Sequence, residues 1–247
     1  MNNLHLSNSL RRIAACFFLS CTSGFAVEPP VIGYTEPYRI ITVSAAETGV
    51  IAELPVKEGD IVKAGQVLAK LNNEVFAAEL EIAQAEASLA ATRNERITEL
   101  SRTGKSTPEE VERARTEQAI KNAQVRRISA QIENRTMRSP VDGIVTEIKR
   151  DPSEAVSPTQ PQVLTVVQID KLVVNFFLPP ARASKLKAGA SATLDLLDTP
   201  GKLAATVEFV SPVTDAASGT VRVKFVIENA DGEHRAGSRC TLVDDAR

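Results

Sequence analysis

Short apolar pieces broken by Gly and Asp dominate the first readable part of the chain. Arg39 to Val43 is rich in β-branched residues. Val50-Ile51 and Leu54 lead into a turn at Glu58-Gly59-Asp60, and Ile61-Val62 into another at Lys63-Ala64-Gly65. Val67-Leu68 to Leu71 closes the group. Apolar runs of this length between turn residues predict a small β domain. Glu28-Pro29-Pro30 and Pro37, ahead of it, read as an irregular lead.

At Asn72 the period changes. Glu74 to Ser101 holds no Gly or Pro and is built from Ala, Glu, Leu and Gln, all good helix formers. Phe76, Leu80, Ala83, Ala87, Ala90, Asn94 and Ile97 recur at spacings of four and three, a heptad seam with one polar position. Gly104 is the breaker. Thr107, Pro108 and Glu110 then supply a cap, a first-turn proline and the acid of a capping box. The second seam reads Val111, Ala114, Gln118, Lys121, Val125, Ile128 and Ile132. Two such helices joined by a short loop run antiparallel, each about 40 Å long at ~1.5 Å per residue. The seams are Ala-rich and partly polar, and no third apolar helix is on offer, so the pair is expected to project as a thin hairpin.

From Arg138 the β text resumes as an echo of the first. TGVIAEL (Thr48 to Leu54) returns as DGIVTEI (Asp142 to Ile148): Gly143 follows Gly49, Glu147 follows Glu53 and Val156 follows Val62 at an offset of 94. Gln162-Val163-Leu164 matches Gln66-Val67-Leu68 at 96, the slip absorbed by Pro158 to Pro161. Two copies of one unit are expected to cover each other's apolar faces. The hairpin is then an insertion whose ends lie close together, and Gly49 and Gly143 are turn and close-packing residues. Beyond the echo, Leu172 to Phe176 alternates and Ala181 to Leu186 suits a helical turn. Four more strands follow at Thr193 to Leu196, Ala205 to Val210, Val221 to Ile227 and Arg239 to Val243. That spacing predicts a small antiparallel barrel or sandwich.

Composition adds few constraints. The chain has 247 residues, 43% hydrophobic, with a formal net charge of −2. It can therefore bury one or two small cores and gives no electrostatic reason to expect nucleic acid as a partner. The first 26 residues have the order of a secretory signal: Arg11-Arg12, the apolar run IAACFFLS, then Gly24-Phe25-Ala26. The apolar run is short of the ~18 residues that span a bilayer. Phe18-Leu19-Ser20-Cys21 offers an alternative, a lipoprotein-like box in which Cys21 becomes an acylated first residue anchored at the inner membrane. Removal of the leader leaves Cys240 as the single thiol, read as a buried small hydrophobe, and His234 as the single histidine. Neither lies in a nucleophile, metal or triad pattern, and Gly59 and Gly65 sit in turns rather than a phosphate loop. The chain is read as a non-enzyme.

The stretch GVIAELPVKEGDIVKAGQVLAKL, the Ala/Glu-rich hairpin and then RSPVDGIVTEI together resemble the periplasmic adaptor subunits, the membrane fusion proteins of tripartite efflux pumps. The resemblance covers about residues 38–247. It implies a mainly β fold with a long α-helical hairpin: a split biotinyl/lipoyl-like domain carrying an antiparallel coiled-coil insertion, followed by a small antiparallel β-barrel domain. The implied boundaries are 1–26 for the signal, 38–72 and 138–170 for the lipoyl-like halves, 73–137 for the hairpin and 171–247 for the barrel. Relatives often continue into a membrane-proximal domain. The expectation here is a short form without one, which grips its pump through barrel loops. A carrier domain shares part of the motif but presents its modified lysine at a tight turn, where this chain has two helices; Lys70 is read as a surface residue at a strand end.

The resemblance also implies a function. It is that of an adaptor joining an inner-membrane transporter of the resistance-nodulation-division (RND) class to an outer-membrane channel. It implies the periplasm, a homo-oligomer (trimer or hexamer) and no cofactor. The alternative is an adaptor of an ATP-driven (ABC-type) exporter or type I secretion system. The family places channel contact at the hairpin tip through an Arg, a Leu and a Ser at regular spacing. The nearest matches are Arg96, Leu100 and Thr107, with Glu110-Val111-Glu112 after them. Thr107 also reads as a helix cap and Leu100 as a seam residue.

Overall fold

The computed structural model describes residues 30–198 and 201–244. Residues 31–244 belong to one compact unit. Its strands and helices run β1 (Ile32–Ser44), β2 (Gly49–Glu53), β3 (Ile61–Val62), β4 (Val67–Leu71), α1 (Glu74–Arg102), α2 (Pro108–Asn134) and β5 (Thr136–Arg138). There follow β6 (Gly143–Ile148), β7 (Ala155–Val156), β8 (Gln162–Leu178), α3 (Pro180–Ala183), β9 (Ser191–Leu196), β10 (Gly201–Thr214), β11 (Val221–Glu228) and β12 (Arg239–Asp244). The structure is mainly β with one long helical hairpin.

The two echoes interlock. β2 pairs with β7, Gly49 opposite Val156, and β3 pairs with β6, Val62 opposite Gly143. Shifting every number by 94 turns one pairing into the other, so each copy lends its short strand to its mate. The turns repeat the same rule. The Gly59 N–H donates to Val145 O as the Ser153 N–H donates to Ile51 O, both at 2.8 Å. The Val145 N–H donates to Asp60 O as the Ile51 N–H donates to Glu154 O, both at 2.9 Å. Even the backbone agrees: Ser153 takes φ 73° where Gly59 takes φ 93°. A left-handed serine costs about 1 kcal/mol, which the bonds of this turn offset. Between the copies lies a core of Ile51, Val62, Leu68, Leu71, Val145, Val156, Leu164 and Val166.

Neither unit glycine is a ligand site. A Cβ at Gly143 would stand 2.6 Å from Val167 O and 2.9 Å from Val166 Cγ1. One at Gly49 would stand 2.7 Å from Arg135 Nη2 and 3.2 Å from Leu71 Cδ1. Backbone excludes a side chain at Gly143, and side-chain atoms crowd the space at Gly49.

The second core is a closed barrel. The order β1-β12-β9-β10-β11-β8 is completed by pairing of β1 with β8, which leaves no open edge among these six strands. Leu172, Phe176, Leu194, Val207, Val223, Phe225, Ile227 and Cys240 fill it. The Phe176 and Phe225 rings meet edge to face at 5.5 Å. Two features of this barrel differ from the sequence reading. Residues 32–37, read as irregular lead, form the start of β1, where Ile32 to Tyr34 pair with β12. Beyond Thr35, which still bonds to Ser238 and Gly237, the strand pairs of β1 are with β8, so Pro37 sits where a missing donor is tolerated, beside a bulge before Arg39. The strand expected at Leu172 is also longer: β8 runs without a break from Gln162, through the first core and into the barrel.

The hairpin stands on adjacent strand ends. β4 and β5 pair, and the Leu71 N–H donates to Arg135 O at 2.9 Å. Met137, taken as hairpin in the sequence reading, is 5% exposed and packs in the β core. Replacing residues 74–134 with a short turn is therefore expected to leave a cooperatively folding β body, checked by thermal unfolding followed by circular dichroism. Loss of the transition would place the hairpin in the core.

Candidate partner-binding site at the hairpin tip

Along the hairpin the expected seams are those that are covered: Ala83, Ala87 and Ala90 on α1 and Ala114 and Ile128 on α2 are buried. The polar seam positions Asn94, Gln118 and Lys121 take part in rungs between the helices, and the flanking Arg93 and Glu117 add another. Lys121 Nζ lies 2.7 Å from Glu86 Oε2, Arg93 Nη1 lies 3.2 Å from Glu117 Oε2, and Asn94 Nδ2 donates to Gln118 Oε1 at 2.7 Å. Asn94 Oδ1 is buried with no hydrogen-bond partner among the described residues. Polar rungs of this kind set register at some cost in stability.

At the tip, α1 ends in a Schellman turn. The Gly104 N–H donates to Ser101 O at 3.0 Å and the Lys105 N–H to Leu100 O at 2.8 Å, with Gly104 at φ 71°. α2 starts in the capping box read from its sequence: the Glu110 N–H donates to Thr107 Oγ1 at 3.2 Å and the Thr107 N–H to Glu110 Oε2 at 2.9 Å. The Ser106 hydroxyl adds a bond to the same carboxylate at 2.8 Å. The bond from the Thr107 backbone, then that from Ser106, hold the Glu110 carboxyl below its usual pKa. A lowered acid stabilises the folded tip above the ordinary glutamate range and stops doing so as pH falls through its own pKa. The capping bonds of the tip are thus fully present at neutral pH.

On this fixed turn the three expected docking residues differ in role. Leu100 is 37% exposed and lies beside the seam rather than in it. Arg96 is exposed one helical turn back on the same face, and among the described residues its guanidinium makes no hydrogen bond or ion pair. Thr107 is exposed, but its oxygen is engaged as the cap. Glu110 is spent in the box, Val111 is half-buried in the seam, and Glu112 is exposed. Cys21 and the 1–26 leader lie outside the described residues.

The root holds a residue that sequence reasoning missed. The side chain of Arg135 is 11% exposed and ties the hairpin to the β body. Its Nε donates to Asn72 O at 3.0 Å, Nη1 to Glu47 Oε2 at 3.0 Å and Nη2 to Thr48 O at 3.4 Å. The guanidinium also lies over the Phe76 ring at 4.7 Å. Nothing in the sequence separates this arginine from its neighbours Arg126, Arg127 and Arg138.

The candidate reactive side chains named from the sequence have structural surroundings. Lys70 pairs with Glu53 at 2.9 Å on the strand surface. His234 shapes a loop, its N–H donating to Asn229 Oδ1 at 3.0 Å. Cys240 is fully buried, and burial pushes its thiol up to about 11. Among the described residues no trio of His, Cys, Asp or Glu is placed to hold a metal ion, and no helix is long and apolar enough to cross a membrane.

Two interlocked half-motifs with a helical insertion define a barrel-sandwich hybrid. The family model of the YknX barrel-sandwich hybrid domain matches residues 42–169, and the chain belongs to that family. Similar proteins include the nodulation protein NolF of Rhizobium meliloti, 26% identical over 86% of this chain and 62% of its own length. The macrolide export protein MacA of Yersinia pestis is 25% identical over 81% of this chain and 62% of its own. The chain thus spans about three-fifths of the length of these relatives. The fold matches the crystal structure of a MacA-MexA chimeric protein carrying the Pseudomonas aeruginosa MexA α-hairpin, with a TM-score of 0.74 and 23% identity. That match covers 88% of this chain and 79% of the other.

Proposed function

We propose that this chain is a periplasmic adaptor of an export system, joining an inner-membrane transporter to an outer-membrane channel and assembling with copies of itself. One observation carries the reading. A long hairpin, clamped at its root by Arg135 and capped at its tip, projects from a β body, with Leu100 and Arg96 presented near the end. Such a part transmits position and contact. The kinship to a protein named for macrolide export points the same way.

In this reading residues 1–26 direct secretion, with Cys21 as the alternative acylated anchor. The tip residues Arg96, Leu100 and Thr107 meet the channel, and the barrel faces the transporter. We take the transporter to be of the RND class, with an ATP-driven exporter as the alternative. Photo-crosslinkers placed at Lys105 on the tip and at Asp215 on the β10–β11 loop of the barrel test this in cells. Adducts to an outer-membrane channel from the first and to a transporter from the second are expected. Absence of both sinks the reading, and a partner carrying a nucleotide-binding domain replaces RND with ABC.

A further inference from the structure

One side of the barrel wall is hollowed between two bulged strands. Around the barrel β1, β8, β11 and β10 follow one another. β1 slips register between Pro37 and Arg39, and β10 slips between Val207 and Phe209. A bulge re-aims the side chains beside it, and each of these brings two consecutive residues to the outside of the wall. They are Tyr38 with Arg39 and Glu208 with Phe209. Between them β8 and β11 pair in unbroken register, so the bulged strands stand as rims above a floor. The hollow measures about 560 Å³. Its floor includes Val173, which alternation turns away from the barrel core and which is nevertheless 4% exposed.

The lining is aromatic and cationic. Tyr38 and Phe209 bring rings from opposite rims, and Ile40 adds an exposed aliphatic edge. Arg39 and Lys224 each stand 5.5 Å from the centroid of the Tyr38 ring, and Arg222 stands 5.6 Å from that of Phe209. Lys224 is engaged by Glu208 at 2.6 Å, and the Tyr38 hydroxyl donates to the same carboxylate at 3.3 Å. The Asn175 amide donates to Glu36 at 3.4 Å. Arg39 and Arg222 are exposed, and among the described residues neither guanidinium has a carboxylate partner. A guanidinium resting on a ring keeps its fork of N–H donors for an arriving anion. Arg39, Arg222 and Lys224 set against Glu36 and Glu208 leave one net positive charge, which suits a monoanion better than a phosphate. The six strands of the wall are paired on both sides, so an extended peptide finds no edge to join. The volume is that of a small-molecule site.

We propose that this hollow binds a small aromatic carboxylate, its ring against Tyr38 and Phe209 and its carboxylate taken by the Arg39 and Arg222 guanidiniums. The chain contains no Trp, so indole-3-acetate can be excited alone and followed by its fluorescence anisotropy. With the full chain a saturable rise is expected. Indole-3-acetamide, which lacks the charge, is expected to bind at least about tenfold more weakly. Arg39→Gln and Arg222→Gln are each expected to weaken the acid about tenfold and to leave the acetamide unchanged, a split that a merely structural role would not produce. Circular dichroism should stay the same, because both side chains are exposed. Arg126→Gln, which removes the same charge from α2, should bind like the unmodified chain. No saturable binding at millimolar probe, equal binding of the acetamide, normal binding by either variant of the hollow, or a loss at Arg126→Gln overturns the proposal. So does a photo-crosslinker at Ile40 that captures a protein in cells with or without indole-3-acetate, which would make the hollow a protein contact. Tip and barrel adducts are read separately, so the adaptor reading and this site can each fail alone.

Discussion

Leu100→Asp is expected to abolish export while leaving a folded, secreted chain. The change falls on a side chain that is 37% exposed and outside the buried seam, so little packing is lost. Its backbone role also survives, because the bonds into Leu100 O come from the Thr103 and Lys105 N–H groups and the Thr103 hydroxyl, whatever the side chain. A carboxylate at an apolar contact instead carries a desolvation cost of several kcal/mol when a partner closes over it. Efflux in cells lacking the native copy, compared with the amount of variant in the periplasm, measures the effect. Normal efflux would mean that the channel is not met at Leu100. Thr107→Ala makes the contrast, since it removes a cap worth about 1 kcal/mol and loosens the tip without adding charge.

The largest stability loss is expected at Gly143. Gly143→Ala drives a methyl to within 2.6 Å of the Val167 carbonyl oxygen, and backbone in a strand paired on both sides has nowhere to go. Overpacking of this kind costs about 2–3 kcal/mol. Gly49→Ala, at the equivalent place in the other copy, meets side-chain atoms of Arg135 and Leu71 that are able to shift, and about 1 kcal/mol is expected. Urea unfolding of the two variants separates them. Equal losses would show that the pseudo-symmetry of sequence extends to the packing, which the structure denies.

The sequence announced those parts whose physics is local. Alternation and turn residues marked most strands, the seams of α1 and α2 were legible as 3.6-residue periodicity, and the Thr107–Glu110 box was readable letter by letter. The repeat at 94 residues foretold the interlocking of the halves. What stayed hidden depends on distant partners. The strand at Ile32 exists because β12 and β8 receive it, 130 or more residues away, and a proline in its middle argued against it. Arg135 matters through Glu47, Thr48 and Asn72, none of them near it in sequence. Leu100 could be read as seam or surface until the phase of α1 against α2 was known.

β8 has a mechanical consequence. One strand contributes Val163, Leu164 and Val166 to the first core and Leu172, Val174, Phe176 and Leu178 to the barrel, and β1 is laced to it from Thr35 to Ser44. Two cores threaded on one rod are tied by backbone, with the bulge between Pro37 and Arg39 lying where the rod passes from one to the other. A tilt imposed on the barrel would reach the foot of the hairpin through this rod, and a lever some tens of ångströms long would convert it to sideways travel at the tip.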